Sequence, residues 1–190
     1  MDDGSLEQIR LKTKTTIRSW SETCGIAPTT VTNKLDVAMF DWMNDLTDSL
    51  DIWITKGLNM TDGELILAWT NLGALVECWL RFFYCVHYGD YMNSPKMKGG
   101  KPIEPDGRAM TFDILKQYSQ GILWGNRQDP LYLWVDTVQH YRNAIHAFSY
   151  RKIGLPSDFL LSIKQYALFI DGIIVRLPPI EDYRQDLLSD

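Results

Sequence analysis

Histidine, cysteine and net positive charge are the scarce ingredients of this chain. Its 190 residues include three histidines, three cysteines, and 19 Lys plus Arg against 24 Asp plus Glu, for a formal net charge of −5. The shortage of cations excludes a general nucleic-acid coat, which relies on surplus Lys and Arg facing phosphates, but it leaves room for a local basic cleft. So few histidines leave little for a metal site, and no cofactor is expected. The cysteines, Cys24, Cys78 and Cys85, are odd in number and match no zinc spacing. Cys78 and Cys85 sit about 10 Å apart along one expected helix, too far for a disulfide. The chain therefore reads as reduced and cytoplasmic. A phosphate-binding glycine loop, Gly-x-Ser-x-Gly and His-Glu-x-x-His are all missing, which removes the commonest nucleotide-hydrolysing, esterase and metalloprotease signatures. The acidic start Met1-Asp2-Asp3-Gly4-Ser5 lacks the apolar run of a secretory signal. No convincing strand signal, internal repeat or low-complexity tract appears.

What the chain does have is core material. It is 45% hydrophobic and carries seven Trp, nine Tyr and seven Phe, enough for a domain of this size to fold on packing alone. The apolar spacing is helical nearly throughout, so the expected fold is all-α: four main helices with shorter additional ones. Residues 1–28 form an N-terminal segment whose helical character Thr13, Thr15 and Thr16 weaken. Residues 29–178 form the bundle and 179–190 a flexible tail.

Within the bundle, Leu35, Met39, Trp42, Met43, Leu46, Leu50, Trp53 and Ile54 recur at three- and four-residue steps, predicting one long amphipathic helix over 29–57, closed by Gly57. Thr61-Asp62-Gly63-Glu64 has the form of a capping box and opens an apolar run to about residue 88. That run approaches the length of a membrane span, but Asn71, Glu77 and Arg81 lie inside it. Each ionised group would cost about 2.5–3.5 kcal/mol at a bilayer centre, so a central buried helix and no membrane partner are expected. Pro and Gly make 93–107 a loop. A shorter helix is expected over 109–122, with Ile122 on its core stripe. Asp129-Pro130 starts another, running to about Phe148 with Trp134, Val138, Tyr141, Ile145 and Phe148 inward. Ser157 or Asp158 caps a last helix that stops before Pro178-Pro179.

The chemistry-bearing segment is Tyr141-Arg142-Asn143-Ala144-Ile145-His146-Ala147-Phe148. On a continuous helix Arg142 and His146 differ by about 40° and stack about 6 Å apart. A guanidinium can hold a phosphate bidentately, and an imidazole can move a proton near neutrality, so the pair suits phosphodiester chemistry. The same pair would equally serve a solvated surface or a nearby carboxylate.

Arg142-Asn143 followed by His146, late in an all-helical domain, resembles the Arg-Asn…His signature of the HEPN superfamily (higher eukaryotes and prokaryotes nucleotide-binding domains). The interval between Arg142 and His146 is shorter than the family's usual one. The resemblance implies a metal-independent endoribonuclease, a toxin or effector of a prokaryotic toxin-antitoxin or phage-defence system. It also implies a homodimer with facing motifs, and an antitoxin or regulatory partner. Arg142 would stabilise the scissile phosphate, His146 would act as acid or base toward the RNA 2′-hydroxyl, and Asn143 would orient the pair. The alternative is a noncatalytic HEPN-like module that binds a nucleotide or a partner.

Other polar residues fit around this segment. Glu77 and Arg81, four apart on the central helix, either neutralise each other or leave Glu77 to reach across and fix Arg142. Tyr150, Arg151 and Lys152 follow the motif closely; the cations supply a local positive field and the tyrosine a ring for stacking a base of bound RNA.

Overall fold

The central helix begins with a reciprocal cap. In the computed structural model, which describes residues 4–23, 26–146 and 150–180, Thr61 Oγ1 accepts the Glu64 backbone N–H at 3.4 Å and the Glu64 carboxylate accepts the Thr61 N–H at 3.0 Å. This is the capping box expected from Thr-x-x-Glu, and it satisfies two donors that the helix itself cannot. The helix it starts, α5 (Asp62–Val86), is buried on most of its circumference; α1 (Gly4–Ser21), α2 (Thr29–Asp36), α3 (Phe40–Asp48), α4 (Leu50–Lys56), α6 (Tyr88–Asn93), α7 (Phe112–Tyr118), α8 (Pro130–Arg142) and α9 (Pro156–Ile174) surround it. All but α1 of these pack extensively on α5; α1 packs chiefly on α2, α3 and α9 and meets α5 through Trp20, whose ring stands edge-on to Phe82 at 6.2 Å between centroids. Leu6, Ile9, Ile17 and Trp20 of α1 thereby join the same hydrophobic core.

Among the described residues the structure is all-α apart from one small ribbon. In the expected loop, Met97–Lys98 (β1) pairs antiparallel with Lys101–Pro102 (β2). Gly99 and Gly100 make the turn at φ 58° and 77°, a region open to glycine. Two core aromatics pair their polar ends across the fold: Trp79 Nε1 donates to the Tyr166 hydroxyl at 3.0 Å, and Tyr91 Oη donates to the Ile103 carbonyl at 2.6 Å. Among the described residues α5 is the one helix long and apolar enough to cross a membrane, and most of it is buried within the bundle.

Several expected elements are corrected. The single helix over 29–57 is three. The chain breaks at Val37-Ala38-Met39, where Ala38 N–H donates to the Leu35 carbonyl and Phe40 N–H to the Ala38 carbonyl. A second discontinuity falls at Ser49, whose hydroxyl bonds back to the Asp45 carbonyl at 2.8 Å and competes with the helical ladder. The break resets which residues face inward: Leu35, Met43 and Leu50 are buried, while Met39 and Trp42, expected on the stripe, are exposed. Gly57 closes α4 at φ 56°, its N–H donating to the Trp53 and Ile54 carbonyls.

Helix α7 is shorter than expected, running only from its Thr111 cap to Tyr118. Gly121 turns the chain at φ 82°, so Leu123 and Trp124 enter the core and Ile122 is exposed. Helix α9 begins earlier than expected: Leu155 flanks it, and Asp158 reaches back from the first turn to accept the Leu155 N–H at 2.8 Å.

Helix α8 starts where Asp129-Pro130 predicts, with Asp129 Oδ1 accepting the Leu131 N–H at 2.9 Å. It ends at Arg142, well before the expected terminus. Asn143–Ile145 tighten into a 3₁₀ turn, a common way for a helix to finish. Ile145, expected on the core stripe, is exposed, and Phe148 lies outside the described residues.

Candidate functional site

Arg142, the last residue of α8, lies flat across α5. Gly73 makes this possible: a Cβ at position 73 would sit 2.7–2.8 Å from the Arg142 Cβ, Cγ and Cδ, closer than carbon atoms approach. Beyond this crossing the guanidinium stands 5.5 Å from the Phe112 ring centroid, and Nη1 reaches Glu77 Oε2 at 2.7 Å. The other Glu77 oxygen accepts from Arg81 Nε at 3.1 Å and Nη2 at 2.9 Å. Glu77 therefore contacts both arginines, so the two pairings that were alternatives in the sequence are present together. Its side chain is 15% exposed and that of Arg142 29%.

Arg81 is fully committed. Besides Glu77, its Nη1 donates to the Pro105 and Gly107 carbonyls at 3.0 and 3.1 Å, and Nη2 donates to the Met110 carbonyl. All five guanidinium N–H groups have partners. Arg81 thus pins the chain entering α7 against α5, where it can neither bind a ligand anion nor swing away cheaply.

The helix end at Arg142 separates the two halves of the expected pair. Asn143 is half-buried, and its carbonyl accepts the His146 N–H at 3.4 Å. His146 lies past the 3₁₀ turn at φ −86°, ψ 85°, and is exposed. The stacked helical pair expected from the spacing is not formed: Arg142 crosses to Glu77, whereas the His146 imidazole has no hydrogen-bond partner among the described residues. His87 is satisfied structurally, with Nε2 donating to the Arg176 carbonyl at 2.9 Å.

Tyr150, Arg151 and Lys152 do come together. They line a cleft of about 440 Å³ with Ile153, Gly154, Ala144 from the 3₁₀ turn, and Asp62 and Ile66 from the start of α5. Trp69 fixes one wall by donating Nε1 to the Ile153 carbonyl at 2.9 Å. The Tyr150 ring is 96% exposed. Arg151 is half-buried, and its Nε is shielded from solvent without a hydrogen-bond partner among the described residues.

Sequence reasoning missed Gly73, Phe112 and the α5 wall of the cleft. The one available signal was Gly73 itself, since glycine inside an apolar helix usually marks a close approach. It also missed Lys116, a buried lysine whose ammonium joins α7 to α8 through Asp136 and Gln139. Among the described residues no cluster of three or more His, Cys, Asp or Glu is placed to hold a metal ion.

No known family, curated protein or solved structure matches the chain.

Proposed function

We propose that this chain is a HEPN-like helical module that binds RNA or a nucleotide in the cleft of Tyr150, Arg151 and Lys152, with Arg142 as a structural rather than a phosphate-binding residue. The observation that carries this reading is the contrast in charge pairing. Arg142 is paired with the half-buried Glu77 carboxylate, while Arg151 and Lys152 have no ion-pair partner among the described residues and line a cleft of about 440 Å³, within the usual range for small-molecule sites. An exposed tyrosine beside two cations offers a stacking face next to phosphate donors.

A second reading is favoured by His146. Its exposed imidazole, without a hydrogen-bond partner among the described residues, follows two positions after Ala144, which lines the cleft, and on this reading it exchanges a proton with the ligand. On this reading the protein is a metal-independent endoribonuclease, a homodimer whose second copy completes the site, held in check by an antitoxin or regulatory partner in a prokaryotic cytoplasm.

Binding of fluorescently labelled single-stranded RNA, and of ATP as a nucleotide probe, tests the first reading. The expected result is saturable binding that weakens with salt and is lost in the Arg151→Ala, Lys152→Ala double variant. Failure of both probes to bind overturns it. Incubation of the same RNA in EDTA tests the second: cleavage that His146→Ala abolishes, with binding retained, establishes catalysis.

A further inference from the structure

The break between α2 and α3 opens a pocket that the expected unbroken helix would not have. A cavity of about 220 Å³ lies between the Val37-Ala38-Met39 joint and the C-terminal half of α5. Leu35, Phe40, Met43 and Phe82 supply apolar walls, and Cys78 and Cys85 line it from α5. Burial pushes these thiols up to about 11 and about 12, so they are neutral lining at physiological pH. For scale, an apolar cavity of about 150 Å³ accepts a benzene ring.

The cations at the pocket are already engaged. Arg81 has no N–H left. Lys34 donates to Glu104 at 2.7 Å and Asp106 at 2.9 Å, with its ammonium 4.4 Å from the Tyr88 ring centroid. Burial works to lower the Lys34 pKa, but these two carboxylates outweigh it and hold the ammonium charged, at about 12. The pocket therefore has no free cation for an anionic ligand. At the α2–α3 joint the unspent charge is negative: Asp36 and Asp41, beside Val37 and Phe40 in the chain, are exposed and have no ion-pair partner among the described residues. Apolar surface also continues outside the cavity, where Val37, Met39 and Trp42 are 64%, 62% and 66% exposed. A small molecule would fill the cavity and leave that surface in water; a polypeptide segment would cover both.

We infer that this pocket is a docking site for a basic amphipathic segment of a partner protein, which inserts one bulky apolar side chain between the α2–α3 joint and α5 and sets Lys or Arg against Asp36 and Asp41.

The test uses the full chain and a fluorescein-labelled amphipathic Leu/Lys peptide as probe, followed by anisotropy. The comparison peptides are the Leu/Glu analogue and a Ser/Lys analogue without the apolar face. The expected result is binding of the Leu/Lys peptide alone, weakened at least about tenfold by Ala38→Trp, which plugs the mouth, and by Val37→Ser with Met39→Ser, which strips the rim at exposed positions. The charge-reversed Asp36→Lys, Asp41→Lys protein should also bind about tenfold more weakly and lose most of its salt dependence. Melting temperatures near that of the parent show that each variant folds. The proposal is overturned if folded Ala38→Trp and the Ser variant both bind as the parent does, since attraction is then to acidic surface in general. It is equally overturned if Leu/Glu binds as tightly as Leu/Lys, or if anilinonaphthalene sulfonate fills the pocket while no peptide binds.

Discussion

Arg142 and Arg151 lie close together in the chain and have opposite fates. Arg142 is drawn over Gly73 onto Glu77, in a cluster where Arg81 uses every donor it has. Arg151 stands beside an exposed tyrosine and a lysine at a cleft, with no ion-pair partner among the described residues. The difference teaches that a charged residue in a recognisable motif is available for chemistry only if the fold has not already given it a counter-charge. An ion pair in a half-buried setting is hard to give up, because separating it leaves both charges poorly solvated.

Four changes probe this contrast, and the cluster should respond on stability while the cleft should not. The largest effect is expected from Glu77→Ala, which strands two guanidinium groups. A loss of about 3 kcal/mol is expected, seen as a fall in melting temperature of about 6–12 °C. A melting temperature within a degree of the parent would show that the cluster contributes nothing.

Next comes pH. Cys78, beside Glu77, is pushed from an ordinary value of 9.0 to about 11 by burial first and by the Glu77 charge second. Its thiol stays neutral in the fold while the unfolded chain ionises. The contribution is therefore fully present below pH 9 and lost as pH rises through about 11. Denaturant unfolding of Cys78→Ala should show a decline between these pH values that is shallower by about 2 kcal/mol.

Gly73→Ala should cost about 1 kcal/mol. Displacing the Arg142 stem is worth about 1–3 kcal/mol, and the better helix propensity of alanine returns up to about 1 kcal/mol. Combining it with Arg142→Ala, which removes the obstructing side chain beyond Cβ, should recover part of that loss in a double-mutant cycle. The smallest effect is expected from Arg151→Ala and Lys152→Ala, within about 0.5 kcal/mol of the parent by denaturant unfolding, even where they abolish ligand binding. Destabilisation as large as that of Glu77→Ala would erase the contrast between the two regions.

What was readable in advance follows from how local each cause is. Two helix starts were readable because their caps are set by neighbouring residues: Thr61 with Glu64, and Asp129 with Pro130, begin α5 and α8 as expected. The helical character of the chain was readable from its periodicity. The breaks at residues 37–39 and 49 were not, since the spacing of Leu35, Met39, Trp42 and Met43 fits a continuous helix and only packing against α5 decides which of them turn inward. The end of α8 was missed for the same reason, and with it the geometry of Arg142 and His146. The grouping of Tyr150, Arg151 and Lys152 was visible as adjacent residues. The opposing wall from Asp62 and Ile66 was not, because nothing near position 150 encodes its neighbours across the fold.

The fit of Arg142 over Gly73 also has a meaning for descent. A lineage that replaces Gly73 with a larger residue leaves no seat for a long side chain at position 142, and one that shortens residue 142 removes the reason for keeping glycine at 73. The two sites should change as a pair, so joint presence of this glycine and this arginine marks distant kin of the chain more sharply than the short Arg-Asn…His string does.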